Sequence, residues 1–214
     1  MNRILRMAAA LACLCLALGA ATEPPVYECN FESAEAGKVP ADFLVLNGAF
    51  AVKAAGTNKF LELPGSPLDG CAVQFGPAES ADVAVTARIC GTANGKRGPA
   101  FGVGLGGAGG YRLQVSPGRK AVELLRDQEL KARVDYEWRS GTWTRLRLQV
   151  RKVKDGAWRV EGKVWADGSA EPKDWTLAAE ELEPPVAGRA SVAGSPFSGT
   201  PIWFDDLRVE RVVK

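Results

Sequence analysis

The nine residues from Trp143 to Arg151 read Trp-Thr-Arg-Leu-Arg-Leu-Gln-Val-Arg, apolar and polar side chains in alternation. Successive side chains of a strand leave on opposite faces. This period of two therefore predicts a half-buried strand, with Leu146, Leu148 and Val150 inside and Arg145, Arg147, Gln149 and Arg151 outside. An Asp155-Gly156 turn follows, and the next segment repeats the pattern. Val160, Gly162 and Val164 oppose Arg159, Glu161, Lys163 and Trp165, which makes the pair an antiparallel hairpin. Earlier in the chain Val85, Ala87 and Ile89 oppose Thr86 and Arg88, and Tyr111, Leu113 and Val115 oppose Arg112 and Gln114. If these strands share one sheet, its polar face carries Arg88, Arg112, Gln114, Arg145, Arg147, Glu161, Lys163 and Trp165.

The remaining segments read as short strands near residues 43–52, 59–63, 71–75, 82–90, 100–105, 111–115, 121–126, 142–152, 157–165, 188–193 and 202–212, with Gly, Pro, Asn and Asp turns between them. No segment has a capped helical period, although 176–183 has room for one short helical turn. Many short strands at regular spacing predict an all-β sandwich or barrel. The glycines between Gly102 and Gly110 lack the strand-turn-helix setting of a phosphate loop, and predict a hairpin tip.

The first residues change the picture of compartment. Arg3 and Arg6 precede an apolar run from Met7 to Leu18, and Gly19, Ala20 and Ala21 are small, as a signal peptidase requires. The run falls short of the roughly 20 residues that span a bilayer. Residues 1–21 are thus expected to be a signal peptide, with one exported domain over 22–214, secreted or periplasmic and without a membrane span. The chain has 27 basic and 25 acidic residues. Without Arg3 and Arg6 the domain holds 25 of each. A neutral domain lacks the excess Lys and Arg that bulk nucleic-acid binding rests on.

Histidine is absent. That excludes Ser-His-Asp and Cys-His catalysis in their usual forms and His-ligated zinc. Cys29, Cys71 and Cys90 remain after export; one disulfide or three free thiols are both open readings.

Several motifs together carry a resemblance. The Leu-Arg-Leu strand opened by Trp143, the segments Lys163-Val164-Trp165 and Glu171-Pro172-Lys173-Asp174-Trp175, the final Phe204-Asp205-Asp206-Leu207-Arg208-Val209, and the early Asn30-Phe31-Glu32 with Pro40 and Phe43 are similar to exported bacterial proteins of the concanavalin A-like lectin and glucanase superfamily. The resemblance implies a jelly-roll sandwich of two curved antiparallel sheets, neighbouring first and last strands, and a concave face that often meets carbohydrate. The glucanase pattern Glu-x-Asp-x-x-Glu is missing. Asp127-Gln128-Glu129 and Asp135-Tyr136-Glu137 lack its third acid and fall between the predicted strands. Some relatives hold a structural calcium, for which Asp205, Glu32 and the Gly48 backbone are the matching positions. Calcium takes about six to eight oxygens, so a β-bulge whose carboxylates cap backbone N–H groups is the favoured account of the broken alternation at Asp205-Asp206. No other cofactor is expected.

The expected function is a non-catalytic carbohydrate-binding jelly roll acting on extracytoplasmic polysaccharide. Trp165 is the stacking candidate, and Arg88, Arg112, Arg147 and Glu161 are the polar groups that would fix hydroxyls. Clustered Arg would also suit a uronate or sulfated glycan through bidentate hydrogen bonds. Two alternatives stand beside it: a sugar hydrolase or lyase working through an acid or Tyr111, and a structural domain of the cell envelope with a protein partner.

Overall fold

Alternating segments of this kind must each cover one face, and two sheets covering each other is the solution found here. The computed structural model describes residues 24–65, 70–197 and 199–212. The expected signal peptide and the start near Thr22 lie outside the described residues.

In chain order the strands are β1 (Tyr27–Cys29), β2 (Leu44–Asn47), β3 (Ala51–Ala55), β4 (Asn58–Leu63), β5 (Cys71–Glu79), β6 (Val83–Gly91), β7 (Ala100–Leu105) and β8 (Tyr111–Ser116). There follow β9 (Ala121–Arg126), β10 (Glu129–Asp135), β11 (Trp143–Lys154), β12 (Ala157–Ala166), β13 (Leu177–Glu181), β14 (Gly188–Ser195) and β15 (Ile202–Arg211). One sheet, here sheet A, runs β13-β12-β11-β6-β15-β4-β3, with β1 also paired to β15. The other, sheet B, runs β10-β9-β8-β7-β14-β5-β2. Every strand pairing is antiparallel, and the two sheets form a jelly-roll sandwich. The first and last strands are neighbours, with Tyr27 opposite Val209.

The core lies between the sheets. From sheet A it takes Leu146, Leu148, Val150, Val160, Val85, Ile89 and Phe204; from sheet B it takes Phe101, Val103, Leu113, Val115, Val122, Leu124 and Val192. The inward sets of β6, β8, β11 and β12 are the ones their alternation predicts.

Several boundaries differ from expectation. The stretch 43–52 is two strands on different sheets, because Gly48 at φ +102 turns the chain between β2 and β3. The opening strand is Tyr27–Cys29, not the Asn30-Phe31-Glu32 segment; Phe31 sits in a turn at φ +60 with its ring buried. Residues 177–181 are an edge strand paired to β12, not a helical turn. Glu129 and Asp135 begin and end a strand, β10, that was not foreseen. Among the described residues no disulfide joins Cys29, Cys71 and Cys90 to one another.

The largest correction concerns the single polar face. β8 belongs to sheet B, so Arg112 and Gln114 stand on the opposite side of the molecule from Arg88, Arg147, Glu161 and Trp165. Period-two alternation assigns a side chain to a face of its own strand and carries no information about which sheet that strand joins.

Candidate functional site

Sheet A places its outward charges in direct pairs. Arg145 stands opposite Arg88 across the β11–β6 ladder. Like charges so placed repel, and two carboxylates shared between them resolve the conflict. Asp167 lies 2.5 Å from Arg145 Nε and 3.4 Å from Arg88 Nη1, while Asp206 lies 2.9 Å from Arg145 Nη2 and 3.3 Å from Arg88 Nε. Asp205, 1% exposed, takes Arg88 Nη2 at 2.6 Å. The register shift between Asp205 and Arg208 is the bulge that sends consecutive aspartates to one face, with Asp206 at φ +49. Further along, Arg147 pairs with Glu210 at 2.7 Å. Glu161, 2% exposed, accepts from Gln149 and Arg151 and pairs with Arg159. Lys163 holds the loop after β12 through Glu171 and the Pro172 carbonyl, with its Nζ 4.5 Å from the centre of the Trp175 ring. Trp165 is 8% exposed. Four of the expected ligand residues, Arg88, Arg147, Glu161 and Trp165, are thus together on sheet A, with their charges paired and the indole covered.

The proposed calcium ligands do not fit that ion. Both Asp205 oxygens are engaged, Oδ2 by Arg88 and Asn58 and Oδ1 by the Asp206 amide. Glu32 accepts from the Lys59 amide. A Cβ at Gly48 would meet Cys71 and Leu63, so that residue is needed for close packing as well as for its turn. Among the described residues no group of three His, Cys, Asp or Glu is placed to hold a metal.

Besides a cavity of about 650 Å³ on the sheet A side, lined by Gln149, Arg151, Glu161 and Trp175, sheet B offers an open groove. A groove of about 730 Å³ runs over β7 to β10, lined by Ala100, Arg112, Gln114, Ser116, Leu125 and Leu130, with Arg119 and Asp127 at turns and Phe197 at one end. Its size is within the roughly 300–1,000 Å³ of small-ligand sites. On the β7 side Ala100 is the lining residue, a small one. A Cβ at Gly102 would come 2.2 Å from the Leu113 carbonyl oxygen, so this close approach requires glycine. Gln114 donates to Ser116 Oγ at 2.9 Å, Ser116 donates to Glu123 at 2.6 Å, and Arg119 donates to Glu123 at 2.9 Å. Arg112, between Gly104 and Leu125 in register, pairs with no carboxylate among the described residues, and its buried Nε lacks a hydrogen-bond partner. Leu130 and Phe197 are 49% and 50% exposed.

Glu123, Ser116 and Arg119 were not singled out in the sequence. The available signal was a lone acid at an outward position of a strand that is otherwise apolar up to its last residue, Arg126. Burial pushes the Glu123 carboxyl up, and hydrogen bonds from Ser116 and Arg119, with the charges of Arg119 and Arg133, outweigh that and hold it below its ordinary value. A depressed folded pKa contributes stability above the unfolded pKa and loses it as pH falls through the folded one. Urea unfolding between about pH 5 and pH 2 should therefore lose stability with acid less steeply in Glu123→Gln than in the native chain. An identical slope in the two would show that Glu123 carries none of the acid limb.

Tyr111, the tyrosine considered for proton transfer, points its ring into the core. Burial pushes its pKa up to about 12, and its hydroxyl lacks a hydrogen-bond partner.

No family model matches the chain, and no curated protein matches it in sequence. Solved structures do match. The carbohydrate binding module CBM66 from Bacillus subtilis superposes with a TM-score of 0.54 at 12% identity, over 79% of this chain and 95% of that one. The marine PL-14 alginate lyase from Aplysia kurodai superposes with a TM-score of 0.59 at 10% identity, over 88% and 100% of the two chains. A protein with a galectin-like fold from Bacillus subtilis gives 0.56 at 12% identity, over 90% and 98%. Likeness at these identities is likeness of fold, and the fold of this chain is the concanavalin A-like jelly roll.

Proposed function

We propose that the chain is an exported, non-catalytic carbohydrate-binding domain acting on extracytoplasmic polysaccharide, and that the sheet B groove is where it binds. The observation that carries this reading is the groove itself: a small-residue floor, exposed apolar groups at Leu130 and Phe197, and polar groups at Arg112 and Gln114 that point outward from β8. Sugars need that combination of apolar contact and a few placed hydrogen-bonding groups. The named carbohydrate-binding neighbour and the galectin-like one share the fold, which supports the choice of ligand class. The non-catalytic part rests on the acids. Among the described residues Asp127 is the one carboxylate lining the groove, and Glu123 beneath it is committed to Ser116 and Arg119, so no paired acids of a glycosidase are assembled there among them.

Affinity gel electrophoresis of the chain from Thr22 onward, in gels carrying neutral and acidic polysaccharides, tests this. Retardation is expected, and Ala100→Trp, which fills the groove from its floor, should abolish it without lowering the melting temperature. Export predicts a mature N-terminus near Thr22 on sequencing of the processed protein. The second reading, a structural domain of the envelope with a protein partner, draws support from the internally paired face of sheet A. It gains if no polysaccharide retards the chain.

A further inference from the structure

Resting on the groove as a glycan site, we propose that Arg112 makes it selective for glycans bearing an anionic group, carboxylate or sulfate, over neutral ones. Outward cations elsewhere on the two sheets are already committed. On sheet A, Arg88, Arg145, Arg147, Arg151, Arg159 and Lys163 each face a carboxylate. In the groove, Arg119 is taken by Glu123. Arg112 differs. Its register neighbours are Gly104 on one side and Leu125 on the other, neither of which offers an acceptor side chain.

Its buried Nε has no hydrogen-bond partner among the described residues. The same holds for Nε of Arg88, Arg159 and Arg208, so what sets Arg112 apart is that no carboxylate among the described residues pairs with its guanidinium, which leaves that charge for an anionic ligand. The guanidinium fork matches the two oxygens of a carboxylate or sulfate, and a hydrogen bond to an ionised group is roughly twice as strong as one to a neutral hydroxyl.

The aromatic content of the groove points the same way. Neutral sugars draw much of their affinity from stacking on ring faces. Here Phe197 is the sole aromatic among the described lining residues. Asp127, in the turn after β9, is the opposing charge among the described lining residues, and it makes no ion pair with Arg112.

Isothermal titration decides the matter with three probes: an oligouronate, the same oligomer with its carboxyls reduced to neutral hydroxymethyl groups, and a sulfated oligosaccharide of equal length. The expected result is binding of at least one anionic probe about tenfold or more tighter than the reduced oligomer. Arg112→Ala should remove that preference and Arg112→Lys should keep part of it. Whether the uronate or the sulfate binds tighter identifies the source of the anion. Arg112 has no ion pair to lose among the described residues, so the melting temperature of Arg112→Ala should match that of the native chain. Equal affinity for the acidic and reduced oligomers, both abolished by Ala100→Trp, overturns the selectivity and leaves the groove as a glycan site. An anionic preference that survives Arg112→Ala overturns the role of Arg112. Absence of binding to all three probes removes both the groove reading and this one.

Discussion

Replacing Arg88 by alanine is expected to destabilise the fold by about 3–5 kcal/mol at neutral pH, the cost of leaving a buried charge unpaired. Asp205 is 1% exposed, and Arg88 is its one cationic partner among the described residues, at 2.6 Å. Burial pushes the Asp205 carboxyl above its ordinary value, and the hydrogen bonds from Arg88, the Asp206 amide and Asn58 offset this only in part. A raised folded pKa means that ionising Asp205 costs stability; its favourable contribution is present below the unfolded pKa and lost as pH rises through the folded one. Removing Arg88 takes away the main offset, so the deficit should be largest at neutral pH and shrink as acid protonates Asp205. Chemical denaturation at about pH 7 and pH 4 would measure it. Adding Asp205→Asn to Arg88→Ala removes the uncompensated charge and should recover part of the loss at neutral pH. A deficit that does not change with pH, or no recovery in the double variant, would place the role of Arg88 elsewhere. The alternative place is its contact with Trp143, whose ring centre lies 4.7 Å from the guanidinium carbon.

The same cluster explains what could be read from the sequence and what could not. Leu146, Leu148, Val150, Val160 and Val164 were legible because burial of one face writes a period of two into the chain, and all five are in the core. The partnership of Arg88 with Asp205 joins residues 117 positions apart. It depends on a bulge that turns both aspartates outward, which the broken alternation at Asp205-Asp206 signals, and on β6 and β15 being neighbours, which nothing in the local pattern encodes. For the same reason an outward Arg in the sequence looks equally like a ligand contact or half of an ion pair. Arg88, Arg147 and Arg112 were indistinguishable until the topology put Arg112 on sheet B beside glycine and leucine, and the other two among carboxylates. Trp165 misled through its position. It is outward by alternation, yet almost fully covered. Glu123 escaped notice because a single acid in a short strand carries no spacing to recognise, although its burial beneath the groove makes it part of the site's support.

Phe204→Ala is expected to cost about 3–5 kcal/mol, the usual range for removing a fully buried aromatic ring. The ring is 0% exposed, and its centre lies 6.0 Å from that of Phe50. Its complement on the facing sheet is Gly194. A Cβ added there would come 2.7 Å from Ile202 Cδ1, 3.1 Å from Leu63 and 3.4 Å from Phe204. The absent side chain of β14 is thus the space that Ile202 and Phe204 of β15 fill, and the two positions should not behave independently. Gly194→Ala alone should cost about 1–3 kcal/mol through overpacking. In an Ile202→Val background, which deletes the Cδ1 methyl nearest the new Cβ, the cost of Gly194→Ala should fall. Strict additivity of Gly194→Ala and Ile202→Val would mean that the sheets do not interlock at this point. Coupling between them would fix the spacing of sheets A and B where β15 carries Phe204 inward and, one residue later, Asp205 outward to Arg88. The inner packing of this strand and the ion pairs of its outer face would then depend on a single register.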